Sequence, residues 1–345
     1  MLVFTVNFRG VLKATTWKPC AGFRKGSLHT KPKSHFTLPS GDTIPSVALG
    51  ESAPDIASLT SHFILIYAPG VWQAGGRELG EAVKIALAAG YRHFDGAWAY
   101  RNEHDVGNAI VESGVPREDI FITSKLWNSF HAPEDIEASL DESLSRLRTS
   151  YLDLYLIHWP IAFKKEPYLN GRIEIDEALT ADPYPTWKKL EELVDKGKIR
   201  NIGVSKYENL TSNPLKYRPA VNQVELSFGN PQPELLAWAK LHDVLLEAYS
   251  PLGSSRQVKE TLELPIKIAK ELGITPAQVI ISWHVQRGVV VLPKSVHEGR
   301  IRENFEIVAL PQEDFDLIER AAVSKAPQRV INPSKEWGLD YDIFA

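Results

Sequence analysis

GYRHFDGAWAYRNEHDVGNAI, residues 90–110, is the stretch on which the fold turns. A short apolar-aromatic run stops on Asp95, crosses a few small and aromatic residues, presents Tyr100, and passes through Asn102 and Glu103 straight into a helical pattern. Asp and Asn are ordinary turn and cap residues, so each position has a structural explanation when taken alone. Those explanations do not account for the recurrence of the pattern at the ends of other apolar runs.

Working outward, the same rhythm extends along the chain. FTLPSGDTIP reads as a hairpin turning at Ser40, Gly41 and Asp42, and SVALG, ending at Gly50, reads as a first full strand. RELGEAVKIALAAG then repeats with helical period, placing Leu79, Val83, Ala86 and Leu87 on one face. Strands YRHFD, IFITSKL, LDLYLIH, RNIGVS, AVNQVEL, VLLEAYS and GVVVLP follow, mostly separated by helical patterns such as EHDVGNAIVESG, PEDIEASLDESLSRL and YPTWKKLEELVDKG. Strands apolar on both parities need cover on both faces, which calls for a parallel, helix-clad sheet. Eight such units predict a (β/α)8 TIM barrel. The alternative is an open dinucleotide-binding sheet, but the first βα unit lacks its GxGxxG turn.

Composition sets the outer limits. A chain of 345 residues with 43% apolar and 24% charged content is that of a soluble globular protein, and a net charge of -4 makes no field that gathers nucleic acid. SHFILIYAPGVW is too short to span a bilayer, so neither a membrane nor nucleic acid is expected as a partner. One cysteine, Cys20, suits a reducing compartment, and the cytoplasm is the expected location. Residues 1–35 carry seven Lys or Arg before the first acidic residue, Asp42, and read either as a mitochondrial transit segment or as a leader without structure.

The active face of such a barrel is at the C-terminal ends of its strands. There the second strand ends at Asp95, the third in Lys125 and the fourth in His158, with Tyr100 five residues beyond Asp95. Each has an ordinary alternative as a cap, a snorkelling lysine or a packing residue. Their conjunction at neighbouring ends favours chemistry. A phenol titrates near 10 and is a poor acid at neutral pH unless a cation favours the phenolate. Lys125 supplies that charge, Asp95 holds the ammonium, and His158 orients a carbonyl oxygen that Tyr100 protonates. His131, His158, Asp95 and Asp153 offer metal ligands in principle, but HExxH, paired cysteines and clustered histidines are all missing, and no metal is assigned.

A proton donor to a carbonyl needs a matching hydride, which no side chain delivers, so a nicotinamide cofactor is inferred. VLPKSVHEGRIRENFEI places Lys294 and Ser295 at the end of the eighth strand, with Arg300, Glu303 and Asn304 in the helix that follows. A helix N-terminus and an arginine fork suit phosphate, including an adenosine 2'-phosphate. Ser205 and Lys206 after the fifth strand and Gln223 in the sixth are candidates for the nicotinamide carboxamide. Tyr249 is a candidate for stacking on the ring, and Ser250 with the turn from Pro251 to Gly253 for the pyrophosphate. Trp72, Trp98, Trp127 and Trp159 form the expected substrate pocket, with the connection AFKKEPYLNGRIEIDEALTADPYPTW as a wall or lid.

In order along the chain, GYRHFDGAWAYRNEHDVGNAI, ITSKLW, LDLYLIHWP, IGVSKY, VNQVE, AYSPLG and VLPKSV followed by Arg300 and Glu303-Asn304 resemble the aldo-keto reductases, especially fungal aldehyde, glycerol and pentose reductases. The resemblance runs from about Phe36 to the C-terminus. It implies that Asp95, Tyr100, Lys125 and His158 are that family's catalytic tetrad, with Tyr100 the general acid. It further implies that NADPH, or alternatively NADH, lies across the barrel mouth with its adenine end near Lys294 to Asn304. Leu252 of AYSPLG and Val296 of VLPKSV join the implied cofactor contacts. The partner would be a small carbonyl compound and the protein a monomer or weak homodimer. A cofactor-binding auxiliary or inactive barrel is the competing class, and the complete tetrad argues against it.

The chain departs from the family pattern at three places. Lys206 stands where asparagine is common, and Gly96 where cysteine or threonine is common. ESAPDIASLTSHFILIYAPGV, residues 51–71, is inserted where the family runs almost directly through a threonine to the tryptophan that matches Trp72. The insertion is either a lid or an intervening sequence retained in a gene model. The expected organisation is therefore a leader, 1–35, and a single barrel domain, 36–345, carrying the insertion.

Overall fold

Each run anticipated as a barrel strand contains an extended stretch, and apolar residues on both parities let it bury one row of side chains inward and one under helices. The computed structural model describes residues 32–50, 76–164, 173–204, 210, 213–253 and 262–344, all within the compact unit Lys31–Ala345. Ser205, Lys206, Trp72, the insertion at 51–71 and all but the last four residues of the leader lie outside the described residues.

A hairpin comes first, with β1 (His35–Thr37) antiparallel to β2 (Thr43–Pro45). Eight parallel strands then follow in chain order: β3 (Leu49–Gly50), β4 (His93–Asp95), β5 (Phe121–Leu126), β6 (Leu152–Ile157), β7 (Ile199–Val204), β8 (Val221–Glu225), β9 (Leu245–Tyr249) and β10 (Val290–Val291). The sheet closes on itself where Val47 bridges Val291 in parallel. Ala48 N–H donates to the Val291 carbonyl at 2.9 Å, and Val291 N–H to the Ser46 carbonyl at 3.0 Å. Gly50 lies at this seam, where a Cβ would stand 2.5 Å from the Leu292 carbonyl oxygen, so any side chain would force the seam apart.

Helices clad the closed sheet: α1 (Gly76–Ala89), α2 (Glu103–Ser113), α3 (Pro133–Leu147), α4 (Glu177–Ala181), α5 (Tyr184–Asp195), α6 (Pro233–Leu241), α7 (Glu263–Leu272), α8 (Pro276–Arg287), α9 (Glu298–Phe305) and α10 (Gln312–Val323). Together they make a (β/α)8 barrel. Their ends obey local chemistry. Thr275 caps α8 in a full capping box with Gln278, and Pro276 occupies the first turn, where its missing N–H costs nothing. The short α4 breaks up the long connection after β6, and Asp176 starts it by accepting Leu179 N–H at 3.0 Å. Among the described residues no helix is long and apolar enough to cross a membrane.

The hairpin marks the N-terminal face. Asn201, early in β7, donates from Nδ2 to Asp42 Oδ2 of the hairpin turn at 2.8 Å and to the Asp153 carbonyl of β6 at 3.1 Å. Asp153 itself binds Arg117 at 2.7 Å, Arg200 at 3.2 Å and the Ile122 N–H at 2.9 Å. With that end tied shut, the C-terminal ends of the strands carry the open mouth.

Candidate active site

Asp95 closes β4, and the chain leaves the sheet through Gly96, whose N–H donates to the Thr123 carbonyl at 2.9 Å. A single 3-10 turn, Trp98–Tyr100, follows, held by Tyr100 N–H donating to the Ala97 carbonyl at 3.0 Å. The turn brings the Tyr100 ring back over the strand ends. Its centroid lies 5.3 Å from Lys125 Nζ and 5.8 Å from the His158 ring, edge to face. Lys125 is the fifth residue of β5, and His158 follows β6 with its N–H on the Leu126 carbonyl at 3.1 Å. The four residues at the ends of neighbouring strands do meet.

The opening stretch is now explained in two parts. Asp95 and Tyr100 belong to the site, whereas Glu103 secures the surrounding elements. Its buried carboxylate accepts Ser124 Oγ of β5 at 2.7 Å and lies 3.7 Å from Arg146 of α3, tying three elements together at the start of α2. An acidic residue also suits the first turn of a helix.

Lys125 is the electrostatic centre of the site. Its side chain is buried to 2% exposure, and Nζ donates to Asp95 Oδ2 and to the Gly96 carbonyl, both at 2.7 Å. Burial lowers the ammonium's affinity for its proton, but Asp95, Tyr100 and Glu247 outweigh that effect, and its pKa is raised. Burial pushes the Asp95 carboxyl up, while Lys125 and the Gln223 hydrogen bond pull it part of the way back. The site thus holds a persistent cation beneath the phenol.

A second buried acid lies under this pair. Gln223 Nε2 donates to Asp95 Oδ1 and to Glu247 Oε2, each at 2.8 Å, and His93 Nε2 lies 3.6 Å from Glu247 Oε1. Burial and the neighbouring Asp95 push the Glu247 carboxyl up to about 8. Burial holds His93 down at about 3, so its imidazole is neutral. Both amide hydrogens of Gln223 are engaged inside the barrel, which leaves its carbonyl oxygen as the group free to accept.

His158 is held well below the usual histidine range by burial, by Lys125 and by His131. It is therefore a neutral imidazole, able to donate from one ring nitrogen. His131 is buried too, with burial holding it down at about 3, whereas Asp153 sits at the opposite face. The four metal-ligand candidates are not gathered in one place.

An aromatic wall rises beside His158. Trp159 stacks on the His158 ring at 5.9 Å, and Trp127 meets it edge-on at 5.4 Å. Trp337 and Phe344, from the tail beyond α10, pack on Trp159 at 5.3 and 6.2 Å, and Phe163 meets Trp337 at 5.1 Å. Trp98 is held by its own contacts. Arg101 covers its ring at 3.5 Å, Phe130 abuts it at 4.6 Å, and its indole N–H donates to Glu142 Oε2 at 2.6 Å. It belongs to the same apolar cluster as Trp127, Phe163 and Trp337.

The described residues among the anticipated cofactor contacts lie in or after β8, β9 and β10. Tyr249 ends β9, Ser250 adopts φ 50°, and Gly253 N–H donates to the Ser250 carbonyl at 2.9 Å, forming a tight turn. Leu252 and Val296 are half-buried against the barrel core. Ser295 Oγ accepts His297 N–H at 3.1 Å, ahead of α9. In α9, Arg302 is tied to Glu298 at 2.8 Å and Asn304 is buried. Arg300, Glu303 and Lys294 are exposed, and Arg300 makes no ion pair among the described residues.

The tail with Pro333, Trp337 and Phe344 is expected from the sequence to fold back over one mouth of the barrel, but two features escaped the sequence reading: Glu247, and the acceptance of the tail's Val330 and Ile331 N–H groups by Glu225. A charged residue inside the apolar run VLLEAYS was the available signal for Glu247. The other depends on residues far apart in the chain.

The family described as the aldo/keto reductase family matches residues 69–323. The chain is 42% identical over 281 residues to the glycerol 2-dehydrogenase (NADP(+)) of Saccharomyces cerevisiae, covering 77% of this chain and 89% of that one. It is 41% identical over 291 residues to an aldehyde reductase of the same yeast, covering 80% and 92%. Among solved structures, the aldose reductase of Schistosoma japonicum superposes with a TM-score of 0.74 at 33% identity, covering 90% of this chain and 97% of that one.

Proposed function

Because the chain belongs to the aldo/keto reductase family, we propose that it reduces aldehydes or ketones, open-chain sugars among them, to alcohols with NADPH. The observation that carries this reading is the Tyr100 ring above the buried Lys125–Asp95 pair and facing His158 at the barrel mouth. The names of the two yeast relatives, one an NADP-linked glycerol dehydrogenase and one an aldehyde reductase, support the same chemistry.

When bound, NADPH supplies the hydride. The residues present suit it. Arg300, exposed and without an ion pair among the described residues, offers its planar fork to a 2'-phosphate, whereas Arg302 is already held by Glu298. Tyr249 offers a ring face, and the turn from Ser250 to Gly253 offers polar groups beside it. Neutral His158 donates to the substrate carbonyl oxygen and orients it. Tyr100 then passes its Oη proton to that oxygen as negative charge builds there, and the Lys125 ammonium stabilises the phenolate left behind. The aromatic wall keeps water away and accepts apolar substrate groups. In the reverse direction the same phenolate receives the alcohol proton.

The test is loss of reduced-cofactor absorbance with a panel of simple, aromatic and sugar aldehydes. NADPH should be consumed with at least one of them. A folded sample that consumes neither NADPH nor NADH across the panel would overturn the enzyme reading. Arg300→Ala should weaken NADPH binding roughly tenfold and NADH binding little, as expected for a charge-assisted contact in a partly wet site. Equal weakening of both cofactors would assign Arg300 to the fold or to the shared pyrophosphate instead.

A further inference from the structure

We infer that Glu225 is a positioning residue for substrate selection, its carboxylate latching the C-terminal tail to the barrel and thereby setting the aromatic wall of the pocket. The inference rests on the reading of the mouth as a carbonyl-reductase site. Glu225 is the last residue of β8 and is buried to 1% exposure, yet the tetrad does not use it. Its two oxygens accept two successive backbone N–H groups of the tail, Val330 at 2.7 Å and Ile331 at 2.9 Å. Its own carbonyl accepts Asn230 Nδ2 at 3.0 Å and Gln232 Nε2 at 2.6 Å, so the residue is fixed from behind as well.

The tail beyond this point is cross-tied within itself. Asn332 Nδ2 donates to Asp342 Oδ1 at 3.0 Å, Ser334 Oγ donates to Asn332 Oδ1 at 2.7 Å, and Ile343 N–H donates to Ser334 Oγ at 3.1 Å. Arg329 lies over the Phe344 ring at 3.7 Å, bracing the tail against the residue next to the latch. Trp337 and Phe344 are carried on this tail and reach Trp159 and Phe163 across the mouth. Gln328 N–H on the Gly229 carbonyl at 2.8 Å gives one further tie just before the latch. A carboxylate is the one side chain that accepts both neighbouring N–H groups with full charge assistance. The position of the distal wall is thus set where the tail leaves the barrel.

The consequence falls on substrates that reach the wall. Among the described residues Glu225 makes no hydrogen bond to Asp95, Tyr100, Lys125 or His158, so releasing the latch acts first on the tail that carries Trp337 and Phe344. The test compares the full chain with Glu225→Ala and with the isosteric Glu225→Gln, which loses one acceptor and keeps the shape should the alanine variant fail to fold. Amide exchange at Val330 and Ile331 should accelerate by at least about tenfold, with β5 and β6 amides unchanged. KM for 4-nitrobenzaldehyde should rise roughly fivefold to tenfold, while KM for glyceraldehyde and kcat for both stay within about twofold. Unchanged exchange at Val330 and Ile331, or a rise in both KM values together with weaker NADPH binding, overturns the latch. Exchange is read without turnover, so an inactive parent protein would refute the carbonyl-reductase reading while the latch stood or fell on its own result.

Discussion

Lys125 keeps its charge inside a barrel because Asp95 and Gly96 answer that charge by hydrogen bonds, Asp95 adding its field. Glu247 is the residue whose own titration should show. Its carboxyl is pushed up to about 8 in the folded chain from an ordinary 4.5, so the native state holds that proton more tightly than the unfolded chain does. Its stabilising contribution is complete below about 4.5 and is lost as pH rises through about 8. Glu247→Gln keeps an acceptor for Gln223 and removes the titration. Between pH 6 and 9 the melting temperature of the native protein should therefore fall relative to the variant's, by roughly a few degrees; parallel curves would show that the buried acid is ionised throughout. Asp95, Tyr100, Lys125 and His158 could be found in the sequence because each sits at or just past the end of an apolar run. Glu247 lies inside its run, and its partners come from two other strands, so reading strand ends passes over it.

At the scale of elements, α2 packs directly on the C-terminal end of α3 beside the site, and Gly107 allows it. A Cβ at Gly107 would fall 2.6 Å from both the Arg146 carbonyl oxygen and the Leu147 carbonyl carbon. Alanine gains about 1 kcal/mol in helix propensity, but an overpacked backbone contact costs about 1 to 3 kcal/mol, and here neither partner is a flexible side chain that can yield. Gly107→Ala should lower the urea midpoint, with reduced turnover as Glu103 and Arg146 shift. A raised midpoint would mean that the two helices can separate at little cost. Helix and strand order were legible because the periods of apolar residues switch cleanly between elements; α3 runs from Pro133 to Leu147, the span its pattern predicts. The 3-10 turn that aims Tyr100 and the short α4 were not, since both are a turn or so long and depend on local capping rather than on a repeated apolar face.

Across the whole molecule, closure of β10 onto the residues before β3 brings the two ends of the barrel sequence together, and that closure gathers strand ends from Gly50 to Val291 around one mouth. Eight apolar runs imply such closure, which is why the fold was readable at the outset. The far wall was legible only in outline: an irregular tail with Trp337 and Phe344 is expected to fold over one mouth, but its partners Trp159 and Phe163 are set by tertiary contacts that no periodicity shows. The claim on which the rest depends is that this mouth protonates a carbonyl oxygen from Tyr100. Tyr100→Phe keeps the ring against Lys125 and His158 and removes only the transferable proton, so the loss should fall on the chemical step. The decisive measurement is kcat for NADPH-dependent aldehyde reduction by the native protein and by Tyr100→Phe, with NADPH affinity measured on both by fluorescence titration. The account predicts a fall in kcat of at least about a hundredfold with NADPH affinity nearly intact, and a variant that keeps near-native kcat would contradict it.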